Sequence, residues 1–194
     1  MKLLLVNLIQ ENSFENNNII VTDQLIKSIT TDNLAFRDLY EATHKSIYGF
    51  AYSIVKNPYD AKDVVQETYI KIYKSVDKYV GQNKPLAWMY TIARNIALEM
   101  IRKKQKTVYT EDHEGLENQF LVQPDTSYES TYILQKALSK LNETDKQIVV
   151  LHALSGLKHK EISEILNLNL STVISKYNRA LVKLQKIIRE DDNA

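Results

Sequence analysis

Residues 85–106 read PLAWMYTIARNIALEMIRKKQK, and this stretch decides the fold of the chain around it. Pro85 suits a first helical turn, where its missing N–H would have no intrahelical partner in any case. Met89, Ile92, Ala93, Ile96, Ala97 and Met100 recur at helical spacing and predict one apolar stripe. Trp88, Thr91, Asn95 and Arg102 share a second face, and the helix runs out into Arg102, Lys103, Lys104 and Lys106. One helix thus combines a core face, a polar face led by a tryptophan, and a basic tail. That combination suits contact with nucleic acid.

The rest of the chain supports a helical reading. Its 194 residues, 44% hydrophobic, are enough for one domain or two small ones with their own cores. Only 4 Gly and 3 Pro leave room for long helices. The absence of Cys excludes disulfides and thiolate zinc sites and fits a reducing compartment. His44, His113, His152 and His159 do not space as a ligand cluster; His152 and His159 would share a helical face only if one helix spanned Gly156. No metal and no cofactor are therefore expected. No segment approaches the roughly 20 apolar residues of a membrane span, and Leu3 to Ile9 is too short for a secretory segment. A soluble, cytoplasmic protein is the expectation.

Charge is unevenly spread. Residues 1–21 carry −1, residues 22–106 carry 14 Lys/Arg against 9 Asp/Glu, residues 107–128 carry five acids and no base, and residues 129–194 carry 10 bases against 8 acids. Two basic blocks flank an acidic connector. The expected organisation is an N-terminal extension over 1–21, a helical domain over 22–106, a linker over 107–128 and a second domain over 129–194. The linker exceeds an ordinary intradomain loop in length.

Within the first domain, Asp23 is a candidate cap for a short helix over Gln24 to Ile29. Phe36, Leu39, Tyr40, Thr43, Ile47, Phe50, Ala51 and Ile54 predict a long helix that stops at Asn57-Pro58. Asp60 is the candidate cap of the next, with Val65, Thr68, Ile72 and Val76 inward and Asp63, Gln66, Glu67 and Lys74 outward. Asp77 to Lys84 reads as a loop. In the second domain, Ile133, Leu134, Ala137, Leu138 and Leu141 predict one helix, and Thr144 is the candidate cap of another that carries Ile148, Leu151 and Leu154. Gly156 suits its end.

Residues 160–190 have the proportions of a helix-turn-helix: a short helix to Leu166, a turn over 167–170, and a long helix capped by Ser171. Val173, Tyr177, Leu181, Leu184 and Ile188 form its buried stripe, with Thr172, Lys176, Arg179, Lys183 and Lys186 nearly opposite. In such a motif the N-terminal part of the second helix enters the major groove. Thr172, Ser175, Lys176 and Arg179 are then candidate base readers, Ser171 is a further candidate DNA-binding residue, and Lys183 and Lys186 lie near phosphates. Arg179 has the fork to bind a guanine edge. Trp88 has the chemistry to stack on an unpaired base, with Asn83 and Lys84 of the preceding loop beside it. Taken singly, each stripe has a plainer reading as a solvated face, and Trp88 has one as a core aromatic.

Together these residues resemble the extracytoplasmic-function sigma factors of bacterial RNA polymerase, in the sigma-70 family. The resemblance covers roughly residues 22–106 and 130–190. DAKDVVQETYIKIYKSV is similar to the family's polymerase-binding helix, with Asp63, Gln66 and Glu67 on the positions that engage the clamp coiled coil of the largest subunit. LAWMYTIARNIALEMIRKKQK is similar to the helix that opens and reads the minus-ten element, which implies Asn83, Lys84, Trp88, Thr91, Asn95, Arg102 and Lys103 as its contacts. LQKALSKLNETDKQIVVLHALSGLKHKEISEILNLNLSTVISKYNRALVKLQ resembles the domain that reads the minus-thirty-five element. The chain departs from the family pattern at Asn142, where Pro is usual, at Ser171, where Gly is usual, at Ile174, where a base is usual, and at Glu99, where Asp is common.

The resemblance implies an all-α fold of two small helical domains joined by a flexible acidic linker, the second a four-helix domain. It implies a transcription initiation factor, not an enzyme, with core RNA polymerase and promoter DNA as partners, and an anti-sigma factor as a partner of many members. The chain ends at Ala194, so the further regulating domain of some subgroups is expected to be absent. The acidic linker is expected to mask the basic domains in the free protein. The competing reading from the residues is a stand-alone helix-turn-helix regulator, and a helical protein-binding adaptor is another.

Overall fold

The structure, a computed structural model, describes residues 20–81, 83–108 and 138–191, with backbone alone at 107, 108, 188, 190 and 191. These residues belong to two compact units, one holding 20–108 and the other 138–191. Every regular element among the described residues is helical. The predicted extension up to residue 19, the acidic linker and the start of the second domain's first helix lie outside the described residues.

In the first unit the order is α1 (Asp23–Ser28), α2 (Asn33–Val55), α3 (Pro58–Ser75), a 3-10 turn (Val76–Lys78) and α4 (Pro85–Val108). Helices α2, α3 and α4 pack on one another around Leu39, Ile47, Phe50, Val64, Ile72, Met89 and Ala93, all buried. The expected α4 stripe is buried except Met100, which is half-exposed. Tyr90, three residues before Ala93 and seven before Ala97, belongs to that stripe and is fully buried. Its phenol disguises it as an amphipathic residue, but the hydroxyl is satisfied by donating to Ser46 Oγ at 2.8 Å, and its ring meets Phe50 edge-on. A second buried polar pair links α2 to α3. Thr43 donates to the Leu39 carbonyl at 2.6 Å, so its oxygen accepts from the Tyr69 hydroxyl at 2.6 Å. Burial pushes the Tyr69 phenol far above its usual range.

Three helix starts differ from expectation, each because a residue upstream of the predicted cap does the capping. Thr22, not Asp23, accepts from Leu25 N. Asn57, not Asp60, accepts from the N–H groups of Tyr59 and Asp60, since Pro58 at the first helical position puts the cap immediately before it. Asn142, not Thr144, accepts from Asp145 N at 2.9 Å. Helix α2 accordingly ends one residue before the predicted stop, on Lys56 at φ 57.

The second unit contains α5 (Glu143–Ala153), α6 (His159–Leu166) and α7 (Leu170–Asp191). Helices α5 and α6 both pack on α7, burying Ile148, Leu151, Ile162, Ile165, Val173, Leu181 and Leu184. The α6–α7 turn pivots on Asn167 at φ 54. Helix α7 begins before Ser171: Val173 N already bonds the Asn169 carbonyl, so Ser171 sits in the first turn and does not cap it.

The histidines correct the sequence reading. His152 and His159 stack with ring centroids 4.4 Å apart, without any continuous helix across Gly156. Gly156, at φ 66, reverses the chain, Leu157 N returns to the Leu151 carbonyl, and His152 Nδ1 bonds the Leu157 carbonyl at 2.8 Å. Tyr177 closes the group, 4.6 Å from His152 and 4.9 Å from His159.

Candidate nucleic-acid and polymerase interfaces

Helix α3 is amphipathic over its whole length. Ala61, Val64, Val65, Thr68 and Ile72 turn inward, which leaves Asp63, Gln66 and Glu67 exposed together on the opposite side. Tyr59, Ile70 and Tyr73 are exposed on the same helix, so the acidic stripe is bordered by apolar surface.

The face of α4 predicted to meet DNA is accessible in its lower part and half-buried at its start. Thr91, Asn95, Arg102 and Lys103 are exposed. The Thr91 hydroxyl donates to the Ala87 carbonyl of its own helix. Trp88 is half-buried, its ring 4.7 Å from Tyr79 and tilted by 41°. It is neither a core residue nor a free one: it leans on the loop before α4. Asn83 is exposed at φ 55, and Lys84 is half-buried.

The basic tail divides by function. Lys104 Nζ sits 2.6 Å from both oxygens of Asp60, the acidic residue in the first turn of α3. That pair ties the tail of α4 to the start of α3. Lys103 pairs with Glu99 at 2.8 Å one turn earlier. This bond raises the Lys103 pKa above its ordinary value and lowers that of Glu99, and Glu67 of α3 adds to the field on Lys103. The acidic stripe of α3 and the basic run of α4 are thus electrostatic neighbours.

On α7, Ser171, Ser175 and Arg179 are exposed and Thr172 is half-buried. Two predicted contacts point elsewhere. Lys176 is turned toward α5, with Nζ 3.1 Å from Asp145 Oδ1. Lys183 Nζ bonds the Lys140 carbonyl at 2.7 Å, across to the turn just before α5. The stripe of α7 lying opposite the core instead carries Ser171, Ser175, Asn178 and Val182, with Ile174 on its flank, 40% exposed. Asn178 was not singled out from sequence because a polar residue between Tyr177 and Arg179 carries no signal of its own. Its place on the wheel, three residues past Ser175 and seven past Ser171, was the available clue.

Among the described residues no group of three metal-ligating side chains occurs, and no helix is long and apolar enough to cross a membrane.

A four-helix unit with an acidic face and a basic helix, together with a helix-turn-helix unit, defines a protein built to join a protein partner to DNA. Comparison with known proteins gives the family. Residues 39–107 match Sigma-70 region 2, and residues 132–184 match Sigma-70 region 4. The chain is 36% identical over 145 residues to the RNA polymerase sigma factor SigV of Bacillus subtilis, covering 74% of this chain and 85% of that one. It is 32% identical to the extracytoplasmic-function (ECF) sigma factor EcfG of Rhodopseudomonas palustris, covering 83% and 88%. The fold matches that of the sigma factor RpoE of Bartonella quintana, solved with the anti-sigma factor NepR, at a TM-score of 0.67 and 24% identity over 79% of this chain and 96% of that one. The chain belongs to the ECF sigma factors of the sigma-70 family. It is a transcription initiation factor that binds core RNA polymerase, directs it to promoters and promotes DNA melting. Sigma factors of this kind are generally non-enzymatic.

Proposed function

We propose a division of labour among the residues of this sigma factor. Asp63, Gln66 and Glu67 of α3 contact the clamp coiled coil of the largest polymerase subunit. Trp88, Thr91, Asn95 and Arg102 of α4, with Asn83 and Lys84 before it, capture unpaired bases of the minus-ten element, and Lys103 lies near the backbone. Capture offsets the unstacking cost, a few kcal/mol per step. The observation that carries this reading is Trp88, which is only half-buried and whose ring lies against the buried Tyr79 of the loop before α4.

In the upstream element, Ser171, Thr172, Ser175, Asn178 and Arg179 face the bases. Asn178 has the bidentate geometry for adenine and Arg179 for guanine. Ile174 replaces a charge with an exposed apolar surface, which suits a thymine methyl group. Lys176 holds the helix to α5, and Lys183 closes a helix end and reaches phosphate only by leaving Lys140. The domain boundaries follow the same division: 22–106 for polymerase and minus-ten contacts, 107–128 as linker, 129–194 for the upstream element.

The protein works where polymerase does, in the cytoplasm, and an anti-sigma partner of the kind bound to the Bartonella quintana factor would cover the same faces. Run-off transcription with core polymerase, with and without the protein, on a promoter library tests the assignment. Promoter-specific transcripts that depend on the protein support it, and tight duplex binding without polymerase dependence overturns it. Substitution of Asp63 and Glu67 is expected to abolish the transcripts and binding to core polymerase while leaving the thermal stability of the free chain intact.

A further inference from the structure

Asp23, the first residue of α1, lies outside the stretch matched to region 2, yet it reaches the loop that precedes α4. Both of its carboxylate oxygens are used there. Oδ1 accepts from the Tyr79 hydroxyl at 2.5 Å, and Oδ2 accepts from the Asn83 backbone N–H at 3.0 Å. Between those partners, Gly81 comes so close that a Cβ on it would stand 2.6 Å from Oδ2. The loop therefore wraps the carboxylate from three positions. Asn83 holds a left-handed conformation at φ 55, which Asn tolerates better than most non-glycine residues, and its N–H is turned onto the carboxylate there.

The same bonds reach the tryptophan. Tyr79, fixed at its hydroxyl by Asp23, presents its ring to Trp88 at 4.7 Å. The Tyr79 hydroxyl first, and then the Asn83 N–H, hold the Asp23 carboxyl below its ordinary range, so it is ionised at neutral pH and accepts both bonds at once. Helix α1 is itself anchored by Ile26, which is fully buried, and by Ile29 just beyond its end. The loop is thus shaped by a segment some sixty residues upstream, which packs on α2.

We propose that Asp23 is a positioning residue for base capture: it fixes Tyr79, Gly81 and Asn83 of the loop before α4 and holds Tyr79 against Trp88. The inference rests on the assignment of base capture to Trp88 and this loop. It requires no contact between Asp23 and DNA.

The test uses holoenzyme assembled from core polymerase and the full chain, with a fluorescent single-stranded oligonucleotide carrying the non-template minus-ten sequence of a promoter it transcribes. Asp23→Ala is expected to weaken oligonucleotide binding about tenfold, while affinity for core polymerase and for the upstream-element duplex is retained. Gly81→Ala leaves the charge in place and drives a methyl group into the carboxylate, and it is expected to act in the same direction. Adding Asp23→Ala to Trp88→Ala should cause little further loss, since the first acts through the second. Unchanged oligonucleotide binding by both Asp23→Ala and Gly81→Ala, where Trp88→Ala does weaken it, overturns the positioning role alone. Unchanged binding by Trp88→Ala overturns the base-capture reading itself. Equal loss of core-polymerase and oligonucleotide affinity in both Asp23→Ala and Gly81→Ala would make Asp23 merely structural and also overturn the proposal.

Discussion

Lys176 Nζ and Asp145 Oδ1 lie 3.1 Å apart, joining the first half of α7 to the first turn of α5. The two side chains are 24% and 14% exposed, so the pair is shielded from solvent. Asn142 completes it, donating from Nδ2 to Asp145 Oδ2 at 2.7 Å while its own oxygen caps α5. A cation that looks, on a helical wheel, like a DNA reader is thereby committed to the body of its domain. Asn142 supplies the acceptor and donor that make this arrangement.

Lys176→Met should therefore leave the salt dependence of upstream-duplex binding unchanged. A phosphate contact would show itself as a loss of about 0.9 in the slope of log K against log salt. Asp145→Ala should instead lower stability by about 1–2 kcal/mol, as expected when one partner of a charged, partly buried hydrogen bond is removed. Titrations at several salt concentrations and chemical denaturation of the full chain measure the two effects.

Trp88→Ala should impair transcription from duplex promoters more than from templates already melted over the minus-ten element. The ring is half-buried against Tyr79, so its removal also loosens the loop, but a stability effect alone would depress both templates equally. Comparing run-off yields on the two templates separates the outcomes, and equal losses would remove Trp88 from strand opening.

Ile174 leads to a test at the level of single atoms. If its exposed side chain meets a thymine methyl group, replacing that one thymine by deoxyuridine should weaken upstream-duplex binding several-fold in the wild type and not in Ile174→Ala. Ile174→Arg should restore affinity through charge, with a steeper salt dependence and no sensitivity to the methyl group. Scanning deoxyuridine through the element would find the position, and a flat scan would exclude the contact.

The helices themselves were legible because their apolar periods are long and unbroken. The stripe from Met89 to Ala97 and the stripe from Val173 to Leu184 are both buried as read. What the sequence concealed was decided by contacts between elements. Tyr90 reads as amphipathic until Ser46 is seen to satisfy its hydroxyl. Lys104 reads as one more base of the tail until Asp60, 44 residues away, is seen to hold it. Asp23 reads as a helix cap, since an acid at a helix start is the commoner arrangement, and only the folded loop shows what its carboxylate binds. Periodicity reports which face a residue occupies, not which partner stands opposite. Of the candidate site, the faces were legible and the pairings were not.

The histidine stack predicts that the second unit loses stability in acid. His159 is packed against His152 and Tyr177, and its Nε2 is buried without a hydrogen-bond partner. Burial, and then the neighbouring His152, lower its pKa below the ordinary 6.5. The sign follows from linkage: between the lowered folded value and the ordinary unfolded one, the unfolded chain binds more protons, so stability rises with pH across that window. The contribution is fully present above about pH 6.5, is lost as the pH falls through the folded value, and levels off below it. His159→Phe keeps an aromatic ring in the stack and removes the titration. The melting temperature of the full chain, followed from pH 7.5 to pH 5, should fall more steeply in the wild type than in His159→Phe. Parallel falls would assign the acid sensitivity to carboxylates elsewhere, because the two chains differ only in this one titrating group.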